Sequence, residues 1–138
     1  MQTARVKWVE AEQFLGVTPS GHAVPIDSDR EKNTAPGPME MLLVALAACT
    51  ATDVVVILQK KRQPLEALEV VASGERASEP PRVWTEIEVV YRLHGRLDEH
   101  AVEHAIELSQ SKYCSVSAML GKTAKLTHRF EIIPPHRA

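Results

Sequence analysis

Two cysteines, Cys49 and Cys114, are the residues of this 138-residue chain best suited to do chemistry. A thiolate attacks an oxidant, becomes a sulfenic acid and is resolved to a disulfide by a second thiol. Free cysteine is also among the most buried residue types, and buried structural thiols are inert. Residue type alone leaves both readings open. Their settings differ. Cys49 lies in PMEMLLVALAACTATDVVVILQKKR, eleven residues past Pro38. The dipole of that helix cannot assist ionisation so far from its start. Asp53, one turn later on the same face, opposes ionisation. If Cys49 attacks, a cation from elsewhere must activate it. Arg30, in the preceding loop, is the nearest candidate in sequence, with Arg5 and Arg82 more distant. Cys114 follows Ser111. A helix capped by Ser111 places Cys114 in its first turn, where free N–H groups and the dipole favour a thiolate.

Other side chains invite weaker readings. Glu40 is the only acid early in the long helix. It is about 13 Å from Cys49 and on the opposite helical face, so it cannot touch that thiol of its own chain. It either complements the positive helix N-terminus or approaches Cys49 of a second, antiparallel copy. His100 and His104 have a metal-ligand spacing, but neither an HExxH nor a CxxC pattern accompanies them, and an exposed helical face explains them. Ser111, Ser115 and Ser117 lack a G-x-S-x-G setting, which argues against a serine hydrolase. His128 reads as a core residue. Met39, Met41 and Met119 read as packing, or as the lining of an apolar pocket.

The elements that must position these groups follow from patterning. Residues 38–62 form one helix. Pro38 suits the first helical position, Lys60, Lys61 and Arg62 suit the negative pole, and Pro64 stops it. It is apolar nearly all round from Met41 to Leu58, so it should be buried by a sheet, by a second copy, or by both. A membrane span is disfavoured by Asp53 within the run. Strands are predicted at 4–9, 13–17 and 22–26, then a polar loop at 27–37. Further strands follow at 67–74, 83–93 and 126–133. Asp98 caps a helix to about Gln110, and a second helix runs from Lys112 to Leu120 and stops at Gly121. Pro134-Pro135 begins a short tail. The order is β-β-β-α-β-β-α-α-β in a single domain over 1–138, an α+β fold with mainly antiparallel sheets.

Composition narrows the function. A formal charge of −2 gives no support for nucleic-acid binding. The N-terminal MQTARVKWVEAEQF has no signal-peptide core, so a cytoplasmic location is the expectation. In that reducing compartment the cysteines are thiols rather than a structural staple.

Two segments, GPMEMLLVALAACTATDVVVILQKKRQP and SKYCSVSAML, together resemble the OsmC/Ohr-like family of osmotically inducible and organic hydroperoxide resistance proteins. RVKWVEAEQFLGVTPSGHAVPID resembles its YhfA-like branch, and the similarity covers nearly the whole chain. The resemblance implies an intertwined homodimer, with two long central helices wrapped by sheets from both chains. It implies a thiol peroxidase: Cys49 attacks a small, preferably organic, hydroperoxide, Cys114 closes the disulfide, and a dithiol such as a lipoyl group resets the pair. It implies no metal or bound cofactor; the charge balance and Asp53 argue against nucleic acid and a membrane as partners. The best-known members carry Glu directly after the motif proline, where it orients an active-site Arg. Here that position is Met39 and the acid is Glu40, turned by about 100°. Arg30 stands at roughly the right distance to be its partner. That departure favours a competing expectation, a non-catalytic dimer that binds a small apolar ligand.

Overall fold

The computed structural model describes residues 1–135, so the end of the predicted tail lies outside the described residues. The elements in order are β1 (Arg5–Glu10), β2 (Gln13–Val17), β3 (Ala23–Asp27), α1 (Pro38–Lys60), β4 (Leu65–Arg76) and β5 (Trp84–Gly95). Then come α2 (Glu99–Leu108), a π-helical turn (Ser109–Tyr113), α3 (Ser115–Leu120) and β6 (Lys125–Ile133). This is the predicted α+β order with one addition, the π turn. The chain divides into two compact units, Met1–Leu42 and Leu43–Ala138.

The first unit is built on the predicted meander, β1-β2-β3, antiparallel throughout. Val6, Trp8 and Val9 on β1 are exposed. The second unit holds a sheet in the order β4-β5-β6. β4 and β5 form an antiparallel hairpin, whereas β6 runs parallel to β5. Sequence reasoning favoured antiparallel neighbours. The parallel pair arises because the helical segment between them returns the chain to the beginning of β5 before β6 starts, as a parallel crossover requires.

The alternation of β5 positions the core. Ile87, Val89, Tyr91 and Leu93 share one face and are buried with Val102, Ala105 and Ile106 of α2 and Leu46, Val54 and Leu58 of α1. On β6, Leu126, Phe130 and Ile132 pack against this cluster. His128, expected among them, is instead exposed. It lines a surface cleft with Glu103 and Glu107 of α2, which keeps its ring in water.

Helix α1 begins at Pro38 as predicted but ends at Lys60. Its stop is a backbone motif rather than Pro64. Arg62 adopts φ +57°. Its N–H donates to the Gln59 carbonyl at 3.0 Å, and the Gln63 N–H donates to that of Leu58 at 2.9 Å. This Schellman pairing satisfies the last carbonyls. Within one chain α1 is covered on one side. Only the stripe Leu46, Thr50, Val54 and Leu58 is buried, at four-residue steps. Leu42, Val44 and Val56 on other faces are exposed. The helix is long and apolar enough to cross a membrane by length and composition.

Gly95 ends β5 with φ +140°, and a Cβ there would lie 2.5 Å from the Pro64 carbonyl oxygen. Gly21 also has positive φ, at +89°, but nothing lies within 4 Å of its added Cβ. Backbone strain alone costs each alanine about 1–3 kcal/mol. Urea unfolding should therefore show Gly95→Ala losing clearly more stability than Gly21→Ala; equal losses would contradict the close approach.

Candidate active site

The second unit brings the two cysteines together. Cys49 is half-buried on α1, Cys114 is buried, and both are free thiols. Cys49 packs against the buried cluster that contains Cys114, near enough to act electrostatically on its thiol. The local structure at Cys114 is not the predicted one. Helix α2, capped by Asp98 as expected, runs directly into the π turn. Ser111 caps nothing: its hydroxyl donates to the Glu107 carbonyl at 2.7 Å. Cys114 itself turns extended, at φ −75° and ψ 101°, and is the N-cap of α3. Its sulfur accepts the Ser117 N–H at 3.3 Å.

This geometry reverses the predicted ionisation. Burial pushes the Cys114 thiol above its ordinary range, the Ser117 N–H opposes that only in part, and Cys49 raises it again. The helix dipole does not rescue it, because α3 has only six residues. Cys114 therefore carries its proton in the resting state, and desolvation is the main reason.

Behind the thiols lies a buried polar chain that sequence reasoning missed. Thr50 Oγ1 is 2.7 Å from both Tyr91 Oη and Ser109 Oγ. Ser109 Oγ donates to Asp53 Oδ2 at 2.9 Å, and Gln110 Nε2 donates to Tyr91 Oη at 2.7 Å. A carboxylate has no proton to give. Ser109 spends its proton on Asp53 and so accepts from Thr50. Thr50 in turn accepts from Tyr91. Every proton in the chain thus points towards Asp53. Burial raises the Tyr91 hydroxyl above its usual range, which keeps its proton in place. Losing one member strands a buried partner, at about 1–3 kcal/mol. The available signal was Thr50 and Asp53, polar residues inside an otherwise apolar helix. The π turn that delivers Ser109 and Gln110 left no trace in the hydrophobic pattern.

The first unit pairs the other two predicted site residues. Arg30 Nη1 lies 3.2 Å from Glu40 Oε1. Glu40 Oε2 also accepts the Gly37 N–H at 3.2 Å, reaching back from the third helical position as in a capping box. That explains why the acid follows Pro38 by two residues rather than one. The Arg30 guanidinium is further held by the carbonyls of Asp27 and Ala35, the latter at 2.8 Å. Its carbon would lie only 3.1 Å from a Cβ at Gly37. The ion pair is about half exposed, so it contributes about 0–1 kcal/mol; its consequence is placement, not stability. Asp27, also missed from sequence, organises the loop. It is fully buried. It accepts the Thr34 hydroxyl at 2.5 Å, the Asp29 N–H at 2.9 Å and the Thr34 N–H at 3.1 Å. Of the alternative cations, Arg82 is tied to the Ala77 carbonyl at the β4–β5 turn and Arg5 lies exposed on β1. His100 and His104 are exposed on α2.

Comparisons with known proteins agree with one another. Residues 31–129 match the family model described as OsmC-like protein. Protein YhfA of Escherichia coli strain K12 is 47% identical over 131 residues, 94% of this chain and 97% of that protein. The crystal structure of a hypothetical protein from Aquifex aeolicus VF5 superposes with a TM-score of 0.88 at 31% identity, covering 99% of this chain and 98% of the other. The organic hydroperoxide resistance protein OhrB of Bacillus subtilis shares the fold, with a TM-score of 0.67 at 12% identity over 94% of this chain and 98% of that one.

The Asp27 carboxyl is held below its ordinary range, first by the Thr34 hydroxyl and then by the Asp29 N–H, with Arg30 adding to the effect. A depressed folded-state value stabilises above the unfolded value and is lost as pH falls through the folded one. The urea midpoint of the parent should fall on acidification from about pH 5 to 2 more steeply than that of Asp27→Asn. Parallel curves would contradict this assignment.

Proposed function

The chain belongs to the OsmC-like protein family, and on that premise we propose that it is a thiol peroxidase for organic hydroperoxides, working through a Cys49–Cys114 dithiol–disulfide cycle. One observation carries the reading: the two thiols, far apart in sequence, come together at one buried cluster, where Cys49 acts on the ionisation of Cys114. In the first step the Cys49 thiolate attacks the peroxide. The O–O bond breaks, one oxygen stays on sulfur as a sulfenic acid, and the alkoxide leaves as an alcohol after taking a proton. In the second step Cys114 gives up its proton and attacks the Cys49 sulfur. The S–S bond forms, the S–O bond breaks, and hydroxide leaves with that proton as water. Two electrons pass from the dithiol to the peroxide. A lipoyl-type or other cellular dithiol returns them by exchange. Burial of Cys114 suits the resolving role, because a protonated thiol does not compete for the oxidant.

The proposal includes a homodimer. The exposed Leu42, Val44 and Val56 of α1 and the exposed Val6, Trp8 and Val9 of β1 are the surfaces a second copy would cover. In that assembly Arg30, oriented by Glu40, is the cation that activates Cys49 across protomers. The whole chain acts as one domain, a reading supported by matches that span both units. It works in the cytoplasm, where both thiols stay reduced between turnovers. The likeness in fold to the organic hydroperoxide resistance protein OhrB of Bacillus subtilis supports the substrate class.

One observation favours a second reading, binding of a small apolar ligand without catalysis. A cavity of about 440 Å³ beside Asp53 is lined by Val56, Ile57, Leu108 and Tyr113, with Lys60 and Lys61 at its edge. Peroxide consumption separates the two. With excess cumene hydroperoxide and a dithiol reductant, Cys49→Ser should lose at least about 100-fold in turnover. Cys114→Ser should consume a single burst and then stall. Undiminished turnover by Cys49→Ser would refute the peroxidase reading.

A further inference from the structure

Ser109 occupies an unusual junction. Its carbonyl accepts the Cys114 N–H at 2.7 Å, the five-residue bond that closes the π turn. Its hydroxyl is bonded to Thr50, the residue after Cys49, and to Asp53, one turn further along α1. One residue thus grips both cysteine-bearing segments, with its backbone on one and its side chain on the other. It is fully buried, as is Thr50. π turns cost hydrogen-bond regularity and persist where something holds them. If this turn relaxed to α-helical spacing, the residues after it would rotate by about 100° and Cys114 would swing off the Cys49 face.

We propose that Thr50 and Ser109 are positioning residues for the dithiol: their buried hydroxyl bond locks the π turn in the register that presents Cys114 to Cys49. The inference rests on the proposed thiol cycle for its biological meaning, but the register it describes is a property of the two thiols in the folded chain. Each thiol has its own tie to the lock. Cys49 is covalently next to Thr50, and Cys114 hangs from the Ser109 carbonyl. The Tyr91 and Gln110 bonds steady Thr50 from the other side. In the cycle this register decides whether the Cys49 sulfenic acid meets Cys114 or a second peroxide. Closure gives the disulfide and water; a second peroxide gives a sulfinic acid, with loss of an alcohol, and ends turnover.

The test uses the full chain in glutathione redox buffer without peroxide, so that failure of the peroxidase reading cannot mask it. There the dithiol and two-electron oxidised glutathione exchange to the protein disulfide and two reduced glutathiones. Thr50→Val keeps the shape and removes the hydroxyl; Thr50→Ser keeps the hydroxyl. Thr50→Val and Ser109→Ala should shift the Cys49–Cys114 equilibrium towards the dithiol by about tenfold or more, whereas Thr50→Ser should stay within about threefold of the parent. With peroxide added, the same two variants should convert more Cys49 to sulfinic acid per disulfide formed. Folded variants with the parent's equilibrium would overturn the proposal. Should a variant fail to fold, amide exchange in the reduced parent decides. The Cys114 N–H should exchange at least about tenfold more slowly than that of the exposed Lys122. Fast exchange at Cys114 beside a readily formed disulfide would overturn the proposal too.

Discussion

The Thr50–Ser109 hydroxyl bond is the interaction on which the second unit depends. An apolar helix can slide or rotate against a sheet with little change in buried area, because hydrophobic contact is non-directional. A hydrogen bond between two fully buried hydroxyls cannot follow such motion without stranding both. It therefore fixes the rotation of α1 against the π turn to within a side chain's reach, and that rotation is what faces Cys49 towards Cys114. Tyr91 extends the lock to β5, the central strand of the sheet, and Asp53 gives the proton chain a terminus. Polar groups thus supply the specificity that the apolar core of Leu46, Val54 and Leu58 lacks.

A second constraint of the same kind governs the loop before α1. Asp27 is buried with its carboxylate filled by Thr34 and Asp29, and this folds residues 27–37 around Arg30. Glu40 then serves two partners at once, the Gly37 N–H at the helix start and the Arg30 guanidinium. The helix cap and the ion pair are therefore one device. Moving the acid to position 39 would forfeit the cap, since only the third helical position reaches back to the residue before Pro38.

Much of this was legible in the sequence because it rests on periodicity. The alternation of β5 named Ile87, Val89, Tyr91 and Leu93, and Pro38 marked the start of α1. The two cysteines were singled out by residue type, and the Arg30–Glu40 pairing by the family resemblance. The rest depended on local backbone geometry that leaves no periodic signature. The π turn shifted the cap from Ser111 to Cys114, and with it the ionisation of Cys114 passed from dipole control to burial. The αL residue Arg62, not Pro64, ended α1. Ser109 and Tyr91 look like ordinary positions in a one-dimensional reading, because their function arises only from neighbours distant in sequence.

Peptide mapping of the reduced protein after one equivalent of an organic hydroperoxide reads the dithiol cycle itself. Cys49 and Cys114 should disappear together into one disulfide within the same chain. Retention of both thiols, or oxidation of Cys49 beyond the sulfenic acid while Cys114 stays free, would contradict it.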